Sequence, residues 1–293
     1  AALRAAGDTK TPLWIGVITN LINLVLVYVL VYGKFGLPQM GVPGAAIANG
    51  LSFLVGAIIL LILWRRHMLV IGIGGISSLT RARIKKLVDI GYPAGLEQFV
   101  FQAGFLAFLW LVAKYGTAAF AAYGIGLSIL GLIIVIAFSF SISAATLVSQ
   151  HLGAGDKEGA YDAGWRTMRT CVYLMIGCSL VMGFYAEEIA RFMIDDPEVM
   201  RNMVNLTYVL CFSLPFMGVE FSMAGSLRGA GDTRFPMMVT IFTMLLTRLV
   251  LPLILIEMGA DVIWLYGMSL VDFATKASLN MWRFRKKAWL GDD

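Results

Sequence analysis

Most of this chain is parcelled into apolar runs of about 20 residues, separated by short polar turns. The runs fall at about 13–33, 43–64, 93–115, 118–149, 166–185, 203–227, 236–257 and 262–282. At ~1.5 Å per residue each is long enough to cross ~30 Å of hydrocarbon as a helix. Inside hydrocarbon a backbone has to satisfy its own hydrogen bonds, so only helices and closed barrels span it. These runs are too long, and alternate too little, to be barrel strands. The expectation is an all-α membrane protein with about eight transmembrane helices. Composition agrees. Charged residues make up 14% of the 293 and hydrophobic residues 59%, whereas a soluble domain carries about a quarter charged.

A decapeptide occurs twice. Leu3-Arg4-Ala5-Ala6-Gly7-Asp8-Thr9-Lys10-Thr11-Pro12 returns as Leu227-Arg228-Gly229-Ala230-Gly231-Asp232-Thr233-Arg234-Phe235-Pro236. The chain therefore contains two related halves. The first copy stands at the start and the second follows several spans of its own half, so the first half is expected to lack about four helices. Each copy reads as a tight turn: Gly permits the reversal, Asp caps the next helix and Pro suits its first turn. Arg4 and Arg228 are expected to meet lipid phosphate or the capping carboxylates.

Charge sets the orientation. With the first turn cytoplasmic, that side collects Arg4, Lys10, Arg65, Arg66, Arg81, Arg83, Lys85, Lys86, Lys157, Arg166, Arg169, Arg228, Arg234, Arg283, Arg285, Lys286 and Lys287. The other side holds only Lys34, Lys114, Arg191 and Arg201, beside the acidic loop 186–202. The net charge of +5 thus reflects topology rather than nucleic-acid binding. Both copies of the decapeptide lie on the same side, which makes the halves parallel repeats. Segment 65–92 and the C-terminus are cytoplasmic on this reading. Within it, Leu79 to Val88 is basic and amphipathic, as a short helix lying on the inner leaflet would be.

Ionisable residues inside spans are costly and are functional candidates by default. Glu97 and Glu220 lie one and two turns from the cytoplasmic ends of their spans, at depths that suit one shared cavity, with Gln98 and Gln102 beside Glu97. Glu97 could instead snorkel to headgroups. A carboxylate in such a cavity can exchange a proton or hold Na⁺ or a cationic drug, as an antiporter requires. Asp272 and Lys276 are four apart and can pair on one helix. Arg248 sits mid-span and needs a carboxylate, Asp272 or Glu220. No catalytic group and no metal-ligand cluster is expected: Cys171, Cys178 and Cys211 read as small core residues. One enzymatic alternative exists, since Gly229-Ala230-Gly231-Asp232 matches the GxGD pattern of intramembrane proteases, with Asp162 as a second acid.

The turn motif, the span order and the repeat resemble the MATE (multidrug and toxic compound extrusion) family. So do Gly41-Val42-Pro43-Gly44-Ala45-Ala46-Ile47-Ala48, Gly91-Tyr92-Pro93-Ala94-Gly95-Leu96-Glu97-Gln98, Arg248 with Pro252, and Asp272. The resemblance implies helices 5–12 of a twelve-helix, two-lobe transporter: residues 1–64 as the end of the N-lobe, 65–92 as a basic inter-lobe linker and 93–293 as the C-lobe. It implies a cation-coupled (H⁺ or Na⁺) multidrug antiporter, not an enzyme. Such a protein exports amphipathic, mostly cationic drugs from the inner cell membrane as a monomer, with the lipid bilayer and its small-molecule substrates as partners and no cofactor. A lipid-linked precursor flippase is the alternative within the same architecture. Two family acids are displaced by about a turn here, since Phe101 and Met217 stand at their usual places. In the N-lobe Asn23 and Asn49 match polar family positions, but Val27 replaces an Asp, which argues against a first-lobe Na⁺ site.

Overall fold

The repeated decapeptide folds into the same turn twice, almost bond for bond. Gly7 N–H donates to the Arg4 carbonyl (3.0 Å) and Asp8 N–H to that of Leu3 (2.9 Å). In the second copy Gly231 and Asp232 do the same to Arg228 (3.0 Å) and Leu227 (2.9 Å). The glycines sit at φ 90° and 89°, a region L-residues avoid. The next helix is capped by Asp8, which accepts from Thr11 N–H (3.0 Å), and by Asp232, which accepts from Phe235 N–H (3.4 Å).

The computed structural model describes residues 2–70, 80–194, 196–287 and 289. It divides into two units, Ala1–Arg81 and Ala82–Asp293. The first holds a helical turn, α1 (Ala2–Ala5), and a pair of long helices, α2 (Lys10–Tyr32) and α3 (Gly41–Arg65). The second holds α4 (Arg81–Ala113), α5 (Thr117–Gly153), α6 (Lys157–Phe184), the short α7 (Ala186–Met193) and α8 (Pro197–Gly229). It ends with α9 (Arg234–Leu245), α10 (Leu251–Glu257) and α11 (Val262–Arg285). A π-helical turn, Leu246–Val250, joins α9 to α10 as one rod.

All the expected spans appear as helices. Among the described residues, seven are long and apolar enough to cross a membrane, counting α9–α10 as one. The eighth expected span, α11, is not among them, because Asp272 and Lys276 lower its apolarity. The basic stretch also differs from expectation. Among the described residues 80–88 no separate surface helix forms: from Arg81 the backbone runs unbroken through α4, with Pro93 inside it. A single proline removes one backbone bond, and nothing before Pro93 stops the helix. Residues 71–79 of the expected linker lie outside the described residues.

α8 is the centre of the second unit and packs against α5, α6, α7, α9 and α11. Its small residues allow this. A Cβ on Gly225 or Gly229 would strike the backbone of Ser141 or Ala145 in α5, so the two helices touch main chain to main chain. At one end Tyr115 Oη donates to the Ala260 carbonyl (2.9 Å), tying two turns together. At the other, Tyr161, Phe284 and Trp289 stack in a column. Cys171 and Cys211 are buried, as expected of small core residues, whereas Cys178 is only partly so.

Candidate functional site

One side of α8 is packed against its neighbours and another, at Tyr208, Phe212 and Phe216, is exposed, so a charge on the packed side is buried. Glu220 is such a charge, and its Oε2 has no hydrogen-bond partner. It lines a cavity of about 210 Å³ together with Glu97, Gln98 and Phe101 of α4, Phe138 of α5, Arg228 of α8, Thr240 of α9 and Lys276 of α11. The two carboxylates singled out by depth therefore do share one cavity.

Glu97 does not snorkel. It is buried, and its Oε1 accepts from Arg228 Nη2 (3.0 Å) and Thr240 Oγ1 (3.2 Å). This corrects the expectation for Arg228. Its carboxylate is Glu97, while the capping Asp232 takes Arg283 instead (Nε to Oδ2, 2.9 Å). The last turn of α8 aims Arg228 at α4, and Arg283 fills the place near Asp232.

A second cluster adjoins the first through Lys276. Asp272 is fully buried, and its Oδ2 accepts from Lys276 Nζ (3.0 Å) and Arg248 Nη2 (3.4 Å). Both pairings read from sequence are present together. Arg248 Nη1 also donates to Ser269 Oγ (3.0 Å), and its guanidinium lies 4.7 Å from the Phe108 ring centre. Lys276 Nζ stands 5.7 Å from the ring centre of Phe101, the residue at the position of a family acid. Arg248 lies within the π turn and is buried there. Pro252 has no N–H for the Arg248 carbonyl, and the Leu251 N–H bonds five residues back to Leu246. A further cavity, about 340 Å³, is bordered by Gln98, Gln102, Tyr123, Arg248 and Ser269.

Three acids and three cations thus gather here: Glu97 pairs with Arg228, Asp272 with Arg248 and Lys276, and Glu220 borders the cavity that Arg228 and Lys276 also line. Sequence reasoning counted only Arg248 and Lys276 and missed Arg228, Thr240 and Ser269. The one available signal was that the arginine recurs in both copies of the decapeptide, although a capped turn does not need it.

In the first unit Asn23 Nδ2 donates to Asn49 Oδ1 (2.9 Å) across α2 and α3. With Thr19, Asn20 and Ser52 they border a cavity of about 410 Å³. Among the described residues no charged side chain lines this cavity.

The protease geometry is absent. Asp232 caps a helix and pairs with Arg283, whereas Asp162 is exposed beside Arg166 (3.7 Å) on α6. Among the described residues no cluster of His, Cys, Asp and Glu is arranged to hold a metal ion.

Comparison with known proteins agrees with this architecture. Residues 93–254 match the MatE family model, which covers α4 beyond Pro93 through most of α10. The chain belongs to the MatE family. It is 30% identical over 296 aligned positions to "Probable multidrug resistance protein NorM" of Thermotoga maritima, covering 99% of this chain and 62% of that protein. The Vibrio cholerae MATE transporter VcmN, in a mutant form, superposes with a TM-score of 0.83 at 21% identity, over 99% of this chain and 65% of that one. A MOP superfamily transporter from Pyrococcus furiosus superposes at 0.88 with 17% identity, over 98% and 64%. At those identities the two structures speak for the fold. The chain spans less than two thirds of the length of each of these proteins. MatE proteins are multi-pass membrane transporters rather than enzymes, which removes the protease alternative.

Proposed function

We propose that this chain is part of a multidrug efflux transporter that works by cation-coupled alternating access in the inner cell membrane, with 65–92 and the C-terminus cytoplasmic. The observation that carries the proposal is the pair Glu97 and Glu220 on one cavity, the first held by Arg228 and Thr240, the second with a buried, unpartnered oxygen. A buried carboxylate oxygen lacking a donor is costly unless something binds it. A proton, a Na⁺ ion or the cationic nitrogen of an amphipathic drug would each supply that, and mutual exclusion at one acid couples ion to drug. Phe101, Phe138 and Phe221 supply the apolar wall for an aromatic substrate. Kinship to a protein named for multidrug resistance supports the same reading.

Arg228 favours a second reading. With Lys276 it gives the cavity two cations against Glu97 and Glu220, which suits a substrate carrying a phosphate, as a lipid-linked precursor does. Efflux of a cationic dye from cells expressing the full-length transporter tests the first reading. Glu97→Gln with Glu220→Gln is expected to abolish efflux at unchanged expression. Retained efflux would remove both acids from the mechanism. Absence of dye efflux from the wild type, with transport of a phosphate-bearing lipid that Arg228→Gln abolishes, would move the assignment to an anionic substrate.

A further inference from the structure

The second unit has another polar concavity, on the first turns of α6, that shares no lining residue with the cavity of Glu97 and Glu220. It has a volume of about 380 Å³ and is bordered by Tyr161, Asp162, Trp165, Arg166 and Arg169. Its walls are braced. Tyr161 lies flat on Phe284 (5.5 Å between ring centres, 5° between planes), and Phe284 lies flat on Trp289 (4.9 Å, 8°). Trp165 meets both Tyr161 and Phe284 edge-on. Lys287 Nζ stands 4.7 Å from the Tyr161 ring centre, bringing a third cation to the cluster. The one acid, Asp162, is exposed and lies 3.7 Å from Arg166. The indole N–H of Trp165 is buried and has no partner.

Position along the helix indicates what would fill this site. After Arg169, α6 carries no charged residue up to its end at Phe184. Tyr173, Leu174, Val181 and Phe184 are exposed on that stretch, so this part of α6 faces lipid. The arginines therefore stand where a lipid-facing helix leaves the hydrocarbon, at headgroup depth. Tyr and Trp favour the same level.

We propose that this concavity binds the headgroup of an anionic phospholipid, its phosphate held by Arg166 and Arg169 and its acyl chains running along the exposed side of α6. Guanidinium forks suit phosphate oxygens, and the aromatic body of Trp165 borders the same concavity. Asp162 would give up Arg166 to the lipid phosphate. None of these residues borders the carboxylate cavity, so the site stands or falls apart from the transport reading.

The test uses the purified chain, stripped of lipid in a non-ionic detergent and offered dioleoylphosphatidylglycerol or dioleoylphosphatidylcholine, with retained lipid counted by native mass spectrometry. A basic residue near an anionic surface is worth about a fivefold gain in affinity. Arg166→Gln with Arg169→Gln is thus expected to lower the preference for phosphatidylglycerol about 25-fold. Arg191→Gln with Arg201→Gln, at the other end of the unit, is expected to leave it unchanged. Equal retention by the wild type and the Arg166/Arg169 variant would overturn the proposal, as would equal loss in both variants. Displacement of the lipid by glycerol phosphate alone would assign the site to a soluble phosphate and overturn the lipid reading. If the double variant does not elute as a single folded species, the single variants Arg166→Gln and Arg169→Gln decide. Each is expected to lower the preference about fivefold, and an unchanged preference in both would again overturn the proposal.

Discussion

Replacing Arg228 by Gln removes the partner of a buried carboxylate without changing the length of α8. The pair is a direct one, Nη2 to Oε1 at 3.0 Å, with the arginine side chain 28% exposed and the glutamate 12%. Breaking a fully buried ion pair from one side costs about 3–5 kcal/mol, since the other charge stays behind unpaired. The residual exposure of Arg228 admits water and screening, which lowers the expected cost to about 2–3 kcal/mol. Thr240 keeps its hydrogen bond to Glu97 in the variant and cannot neutralise the charge. The second substitution, Glu97→Gln, removes that charge. The double variant is therefore expected to regain much of the loss, with a coupling of at least ~1 kcal/mol in the cycle. Thermal melting of the purified protein in detergent, wild type against both singles and the double, measures it. If Arg228→Gln melts with the wild type, or no more stably when Glu97→Gln is added, Arg228 does not hold Glu97 in the working protein. The site would then have to be rebuilt without it.

Asp272→Asn is expected to cost about 3–5 kcal/mol, because Arg248 and Lys276 lose their shared carboxylate inside the bundle; adding Lys276→Met restores part of the loss on the same melting assay. Gly225→Val forces a side chain into the backbone of Ser141 and is expected to destabilise by about 1–3 kcal/mol or more, whereas Gly177→Ala, which meets nothing within 4 Å, is neutral or slightly stabilising. At the α5–α6 turn, Gly159 N–H (2.8 Å to Oδ1) and His151 (Nδ1, 2.9 Å to Oδ2) hold the Asp156 carboxyl below its ordinary pKa. A lowered folded-state pKa means that the cap supports the helix above the ordinary carboxylate range and loses that support as pH falls through the lowered value. Hydrogen exchange in the first turn of α6 is expected to speed up over that acid window beyond the intrinsic pH effect, and Asp156→Ala abolishes the excess.

Much of the site was legible from one rule, that charge inside hydrocarbon must have a reason. It singled out Glu97, Glu220, Arg248, Asp272 and Lys276, and depth along the spans brought the two glutamates to one cavity. The Asp272–Lys276 pair followed from helical spacing alone. Arg228 escaped because its motif already had a complete local explanation as a capped turn. Its carboxylate lies 131 residues away in sequence, and no periodicity reports a contact of that kind. The basic stretch before α4 misled for the opposite reason. Its pattern suits a helix lying on a membrane, and only the backbone continuity through Pro93 shows that it extends a span.

What the sequence determined by itself was everything governed by solvent and by neighbours along the chain. Twenty apolar residues have to form a helix in hydrocarbon, and Leu-Arg-x-Ala-Gly-Asp-Thr makes the same turn in both of its copies. The tertiary structure alone decided partner choice. It assigned Arg228 to Glu97, shared Asp272 between two cations, buried Arg248 within a π turn and left one oxygen of Glu220 unpaired. Those outcomes depend on how closely helices approach, and here that rests on Gly225 and Gly229 letting α8 touch the backbone of α5. Coulombic pairing inside a bundle is settled over distances of a few ångströms, and that distance exists only once the helices have packed.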